Sequence, residues 1–264
     1  MSSMQEKLAS LEKMLEIMDQ LREECPWDRE QTFESLRNLT IEETYELADA
    51  ILMNDMDNIK KELGDLLLHI LFYAKIGSET GAFDIKDVAE SIAEKLIFRH
   101  PHVFGTTDVR NNPEIVKKNW EELKMREGNR YVLGGVPSSL PAMIKANRIQ
   151  EKVRAVGFDW PERSQVWDKV SEELDEMRHE IDSMNREKTE QEFGDLLFSI
   201  INAARLYSID PETALEKTNI KFIRRFNYLE DKTLKQGKKL SNMSADEMNA
   251  LWEEAKKSED DSVL

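Results

Sequence analysis

The sequence is poor in the features that mark a secreted, membrane-spanning or nucleic-acid-binding protein. Its 264 residues include one cysteine, Cys25, so an intrachain disulfide is excluded and a reducing, cytoplasmic setting is expected. Residues 1–10 carry Glu6 and Lys7 and no continuous apolar stretch, which speaks against a secretory signal. Long hydrophobic runs are missing too. The most apolar segment, Leu66 to Ala74, is interrupted by His69 and is far too short to span a bilayer. Basic residues are outnumbered, 37 Lys and Arg against 53 Asp and Glu. The resulting net charge of −16 argues against a general nucleic-acid binder, whose affinity comes from cations that neutralise phosphates. Strand signals are also scarce: there is no sustained polar–apolar alternation and no Asn-Gly or Asp-Gly hairpin turn.

What the sequence has instead is a repeat. Glu42-Glu43-Thr44-Tyr45-Glu46 is followed by Glu62-Leu63-Gly64-Asp65-Leu66-Leu67, and Glu172-Glu173-Leu174-Asp175-Glu176 by Glu192-Phe193-Gly194-Asp195-Leu196-Leu197. The offset is 130 residues throughout, which indicates a duplicated domain rather than a solenoid of short units. Leu8, Leu11, Leu15, Met18 and Leu21 give a first helix one apolar face. Thr40-Ile41-Glu42-Glu43 reads as a capping box that opens the helix bearing the first acids. A polar break near Asn54 to Asn58 leads into a second helix, whose continuation from Leu66 to Phe72 is apolar nearly all round, as at the centre of a bundle. Leu196 to Ile201 repeats it, and Gly134 to Pro141 is the clearest breaker cluster. The expected fold is all-α: tandem helical bundles of four or five helices, with an N-terminal domain at 1–126, a linker at 127–140 and a C-terminal domain at 141–264.

Residues three apart share a helix face, so Glu173 pairs with Glu176 and Glu192 with Asp195. Helices packed at the usual ~8–10 Å would bring the four carboxylates together. Gly64 and Gly194 would ease that approach by removing a side chain. Four carboxylates in one place repel, and a hard divalent cation such as Mg²⁺ or Mn²⁺ relieves the repulsion while keeping ligand positions for phosphates. In a chain with 53 acids, a single Glu-x-x-Glu is ordinarily a solvated helix face. Two matched pairs beside an apolar helix favour a metal cage, and Glu43, Glu46, Glu62 and Asp65 repeat it as a second candidate site. A di-iron bundle would want Glu-x-x-His. His69 instead follows Asp65 by four, and its counterpart in the other copy is Ser199, so it reads as a packing histidine.

Positive charge repeats as well. Lys95-Leu96-Ile97-Phe98-Arg99 matches Lys221-Phe222-Ile223-Arg224-Arg225, with Lys and Arg four apart on one face, able to hold phosphate oxygens. Trp120-Glu121-Glu122-Leu123-Lys124 matches Trp252-Glu253-Glu254-Ala255-Lys256, and such a tryptophan either packs in the core or stacks on a nucleobase.

These motifs, with Cys25-Pro26-Trp27-Asp28 and His100-Pro101-His102-Val103-Phe104, resemble the MazG family over essentially the whole chain. The resemblance implies an all-α nucleoside triphosphate pyrophosphohydrolase: a homodimer that uses Mg²⁺ to hydrolyse NTPs or dNTPs to monophosphate and pyrophosphate in nucleotide-pool housecleaning. It also implies metal ligation by Glu173, Glu176, Glu192 and Asp195, triphosphate contacts by Lys169, Lys188, Lys221 and Arg225, and a base contact by Trp252. In two-domain members the competent site is assigned to the C-terminal half, and the residues agree. Leu39 stands where the other copy has Lys169, Asn58 where it has Lys188, and Phe98 where it has Arg224. Charged hydrogen bonds contribute about 1.5–3 kcal/mol each, so the N-terminal domain is expected to be weak or inactive. Glu172, about 100° round the helix from Glu173, is the candidate general base, and Lys188 a second catalytic residue that stabilises developing charge. The alternative, from another class, is a nucleotide sensor or partner-docking protein with vestigial metal sites; the intact basic set of the C-terminal half favours catalysis.

Overall fold

A computed structural model of the chain describes residues 2–109, 112, 115, 116, 119, 120, 123, 131–235 and 237–260. The chain divides into two compact units, Met1–Leu123 and Lys124–Leu264. Every regular element among the described residues is helical, so the fold is all-α and tandem. Among those residues no helix is long and apolar enough to cross a membrane.

The first unit contains α1 (Met4–Glu24), α2 (Pro26–Glu30), α3 (Phe33–Leu52), α4 (Met56–Glu79), α5 (Ile85–Arg99) and α6 (Pro101–Phe104). The start of α3 corrects the sequence-based expectation. Its N-cap is Thr32, in a reciprocal box with Ser35, and Thr40 lies well inside the helix. There the Thr40 hydroxyl donates to the Leu36 carbonyl (3.0 Å) and sits 2.7 Å from the Tyr73 hydroxyl. Burial decides the point. The added turns carry Leu36 into a core cluster with Met18, Phe72 and Ile76, which a helix beginning at Thr40 would leave out. A short turn joins α3 to α4, with Asn54 at φ 54° and the Asp55 side chain accepting from the Asn58 amide (3.1 Å). At the far end of α4, a Cβ on Gly77 would lie 2.8 Å from the Phe83 ring, so only glycine lets the following turn fold back.

The second unit contains α7 (Ala142–Ala155), a single 3₁₀ turn (Arg163–Gln165), α8 (Val166–Asp182), α9 (Arg186–Leu206), α10 (Pro211–Lys235) and α11 (Ala245–Asp260). The α8–α9 hairpin repeats α3–α4: Met184 has φ 54° and the Asn185 side chain accepts from the Lys188 amide (3.3 Å). Gln150 ties α7 to α9 by donating to the Phe198 carbonyl (2.8 Å). Val166, Ile201, Ala203, Leu229 and Ala255 are buried. Residues 127–130 of the expected linker lie outside the described residues. Its later part is fastened to α7, where Lys145 donates to the Ser138 carbonyl (2.6 Å) and Lys152 to that of Val132 (3.4 Å).

Two further expectations need amendment. A Cβ on Gly64 or Gly194 would meet nothing within 4 Å, so these glycines do not serve a close helix approach. The apolar faces are also incompletely covered. Met18 of α1 is buried while Leu8, Leu11 and Leu15 are exposed, and Leu63 and Ile70 of α4 and Leu197, Phe198 and Ile200 of α9 are exposed too. The helices packed around α4 and α9 within each unit leave part of these apolar surfaces uncovered.

Candidate metal and phosphate site

Each hairpin assembles three acids. In the first unit, Glu43 of α3 and Glu62 and Asp65 of α4 each offer an oxygen within 4.8 Å of the others. In the second, Glu173 and Glu176 of α8 and Glu192 of α9 do the same. The centre common to both is the first acid of each pair. The fourth member falls outside, and it differs: Glu46 stands 4.0 Å from Lys61 Nζ, and Asp195 is solvent-exposed.

The donors suit a hard cation. All are carboxylate oxygens, and Glu62, 4% exposed, has a buried Oε2 with no hydrogen-bond partner among the described residues. Crowding shows in the proton affinities. Burial first, then Asp65, Glu46 and Glu62, hold the Glu43 carboxyl above the usual carboxylate range. Glu192 is raised by burial, then by Glu176, Asp195, Glu173 and Glu180. His69 is buried on α4, outside the triad, with Nδ1 unpartnered among the described residues and its proton affinity lowered by burial.

The basic residues separate the two units. Lys169 lies in the second cage, its ammonium 2.7 Å from Glu173 and 2.9 Å from Glu172. Those hydrogen bonds, Glu173 first, hold it charged well above the ordinary lysine range. Glu172 is therefore exposed but engaged. Lys188 is 3.6 Å from Glu180, a residue that sequence reasoning missed. The signal was available: Glu180 continues the Glu173–Glu176 face at i+4, and Ala50 replaces it in the other copy. Lys61 was missed for the opposite reason, since it lies on the supposedly deficient side. It donates to Glu62 at 2.9 Å, and Gln191 is its counterpart. On α10, Lys221 is exposed and the Arg225 guanidinium lies 6.0 Å from the Trp252 ring centroid. Trp252 is half-buried and also packs on Phe222 at 5.0 Å. The first unit keeps this arrangement, with Arg99 5.4 Å from the Trp120 centroid and His100 edge-on at 4.8 Å.

The MazG nucleotide pyrophosphohydrolase domain matches twice, at residues 31–104 and 163–229, each match containing one hairpin with its acids. The nucleoside triphosphate pyrophosphohydrolase/pyrophosphatase MazG of Thermotoga maritima is 42% identical over 93% of this chain and 95% of its own. The nucleoside triphosphate pyrophosphohydrolase of Escherichia coli is 40% identical over 95% and 98%. The uncharacterized protein YabN of Bacillus subtilis is 46% identical over 89% of this chain and 49% of its own length. By these matches, and by the paired acids that both hairpins present, the chain belongs to the MazG nucleotide pyrophosphohydrolase family.

Proposed function

We propose that this protein hydrolyses nucleoside triphosphates, NTPs and dNTPs alike, to the monophosphate and pyrophosphate, and that it does so in its C-terminal domain. The observation that carries the reading is the lysine inside the second carboxylate cage: Lys169 contacts Glu173 and Glu172 there, whereas Leu39 holds that position in the first unit. The names of the Thermotoga maritima and Escherichia coli relatives support the reaction class.

Glu173, Glu176, Glu192 and Asp195 would hold Mg²⁺, or Mn²⁺ in its place, which supplies Lewis-acid chemistry when bound, drawing charge from phosphate and lowering the proton affinity of water. The chain's own residues do the rest. Lys169 leaves its two acids for phosphate oxygens, which frees Glu172 to take a proton. Water attacks the α-phosphorus, its proton passes to Glu172, and the bond to the α–β bridging oxygen breaks so that pyrophosphate leaves with the electron pair. Lys188, Lys221 and Arg225 stabilise the charge on the departing group, and Trp252 carries the base.

The N-terminal domain keeps a metal-capable triad but only a weak or inactive site, since Leu39, Asn58 and Phe98 replace cations. The exposed apolar faces of α1, α4 and α9 support a homodimer, the single cysteine fits a cytoplasmic setting, and the reaction itself would serve nucleotide-pool housecleaning.

The test is product identity from ATP and dATP with Mg²⁺. Wild type should release monophosphate and pyrophosphate. Glu173→Ala should lose more than ~100-fold in kcat, the scale of removing a charge-stabilising group, and Glu43→Ala at most a few-fold. Diphosphate plus phosphate would put the attack on the wrong phosphorus. Tight Mg²⁺-dependent binding without turnover would make the protein a sensor.

A further inference from the structure

Beside the second carboxylate cage runs a chain of three polar side chains that the first unit lacks entirely. Ser183 Oγ donates to Glu180 Oε2 at 3.1 Å, and Glu180 Oε1 faces Lys188 Nζ at 3.6 Å. Only 14% of the Glu180 side chain is exposed, against 59% for Lys188. The carboxylate is thus largely covered, and the lysine that meets it is open to solvent and to an incoming ligand. At the same positions, 130 residues earlier, stand Ala50, Met53 and Asn58: a methyl group, a thioether and an amide. Asn58 turns to its own helix cap instead, donating to Asp55 Oδ2 at 2.9 Å. All three members differ together between the copies, as expected if they act as one device.

Two simpler accounts of Glu180 fail. A solvated surface acid would not be largely covered, with a hydrogen bond at one oxygen and a lysine facing the other. A further cage ligand would keep an oxygen for the cation, whereas both Glu180 oxygens already have partners, Ser183 at Oε2 and Lys188 at Oε1. Glu180 does lie on the helix face of Glu173, since seven residues return a helix to within about 20° of its starting direction. It therefore stands beside the cage, where its partner lysine meets the same ligand.

We propose that Glu180, steadied by Ser183, is a positioning residue that holds the Lys188 ammonium at the lip of the cage, so that an incoming nucleoside triphosphate meets a cation already in place. This rests on the C-terminal domain being the pyrophosphohydrolase site. The physical basis is preorganisation. A free lysine must be ordered when it engages phosphate, and a partner that orders it beforehand removes part of that cost. The half-exposed contact at 3.6 Å is weak enough to yield to phosphate oxygens.

The experiment is a double-mutant cycle on the full chain with ATP and Mg²⁺, using wild type, Glu180→Ala, Lys188→Ala and the double variant. Glu180→Ala should raise KM roughly three- to tenfold, the scale of ordering one long side chain, with kcat changed less than about twofold. In the Lys188→Ala background, Glu180→Ala should add nothing, because its effect passes through that lysine. Glu180→Asp should restore part of the loss. Glu180→Gln, which keeps the volume and the Ser183 hydrogen bond, stands in if the alanine variant fails to fold. A full Glu180 effect without Lys188, or an unchanged KM, overturns the proposal. A wild type that releases no pyrophosphate from ATP overturns the function it rests on, and the proposal with it.

Discussion

The two units bury opposite members of the same acidic quartet. In the first, the buried acid is Glu62 on α4, the second helix of the hairpin; in the second it is Glu173 on α8, the first helix. Each buried carboxylate has one lysine, and the two lysines come from unrelated positions. Lys61 neighbours Glu62 in sequence and spans Glu62 and Glu46, both members of one quartet. Lys169 reaches from one turn before and spans Glu173 in the cage and Glu172 outside it. Moving Lys61 would release two candidate metal ligands and nothing more. In the proposed mechanism, moving Lys169 would release a ligand and a base together, which would join phosphate binding to base activation in the second unit. By that proposal the acids alone would hold a cation, and the position of the lysine would make one of the two sites catalytic.

The largest effect that tests this contrast is on nucleotide binding. Lys169→Met should raise the KM for ATP by about 10- to 100-fold, the scale of one charged hydrogen bond. The matching change Leu39→Met should do nothing measurable. Direct metal binding should move the other way: with its internal cation gone, Glu173 should draw Mn²⁺ more tightly than in wild type. Titrating Mn²⁺ in a Glu62→Gln background, where the first cage is weakened, reads the second cage alone. Weaker Mn²⁺ binding on loss of Lys169 would mean that the lysine props the cage open rather than competing for it.

A smaller effect concerns repulsion and its pH dependence. Burial and the surrounding acids raise the Glu192 carboxyl above its usual 4.5. A carboxylate raised in the folded state costs stability wherever both folded and unfolded forms are ionised. The cost fades as pH falls through the folded value towards the unfolded one, because the folded protein takes up the proton first. With EDTA present, Glu192→Gln should therefore melt higher than wild type at pH 7, and the gap should close as pH approaches 4.5 from above. Mn²⁺ at pH 7 should reverse the order, since wild type keeps the ligand. An EDTA gap that persists unchanged at pH 4.5 would assign it to packing.

Most of the architecture could be read from the repeat, because acids at fixed spacing beside an apolar run constrain both period and pairing. The α3–α4 hairpin was expected with the polar break where it lies, and three of the four acids expected together, Glu43, Glu62 and Asp65, come together. The start of α3 was misplaced because Thr40-x-x-Glu43 satisfies the local capping pattern as well as Thr32-x-x-Ser35 does. Only the contact of Leu36 with Phe72 across the hairpin chooses between them. The fourth members of the quartets were equally invisible. Periodicity puts Glu46 with Glu43 and Asp195 with Glu192, but it cannot show that Glu46 lies outside the triad, 4.0 Å from Lys61, or that Asp195 is exposed. Glu180 was legible in principle, since Ala50 and Glu180 differ at a position where the flanking acids agree.

The matched turns supply the finest comparison. Asn54 and Met184 both have φ 54°, in the left-handed region that costs an ordinary residue roughly 1–2 kcal/mol and that asparagine tolerates better. Met184 is 90% exposed, so it has no packing to offset that cost. Met184→Gly should stabilise the C-terminal unit by about 0.5–1 kcal/mol, the relief being partly offset by the greater freedom of glycine in the unfolded chain. Asn54→Met should destabilise the first unit by a similar amount. Urea midpoints at unchanged slope are the measurement. Met184 lies between Ser183 and Lys188, so the same variant also tests how that device is held. Glycine keeps the turn's backbone path and removes only the side chain, and the KM for ATP should stay at the wild-type value while the midpoint rises. A KM that shifts with the midpoint would mean that the methionine side chain itself meets the nucleotide, and the strain would then belong to the site rather than to the turn.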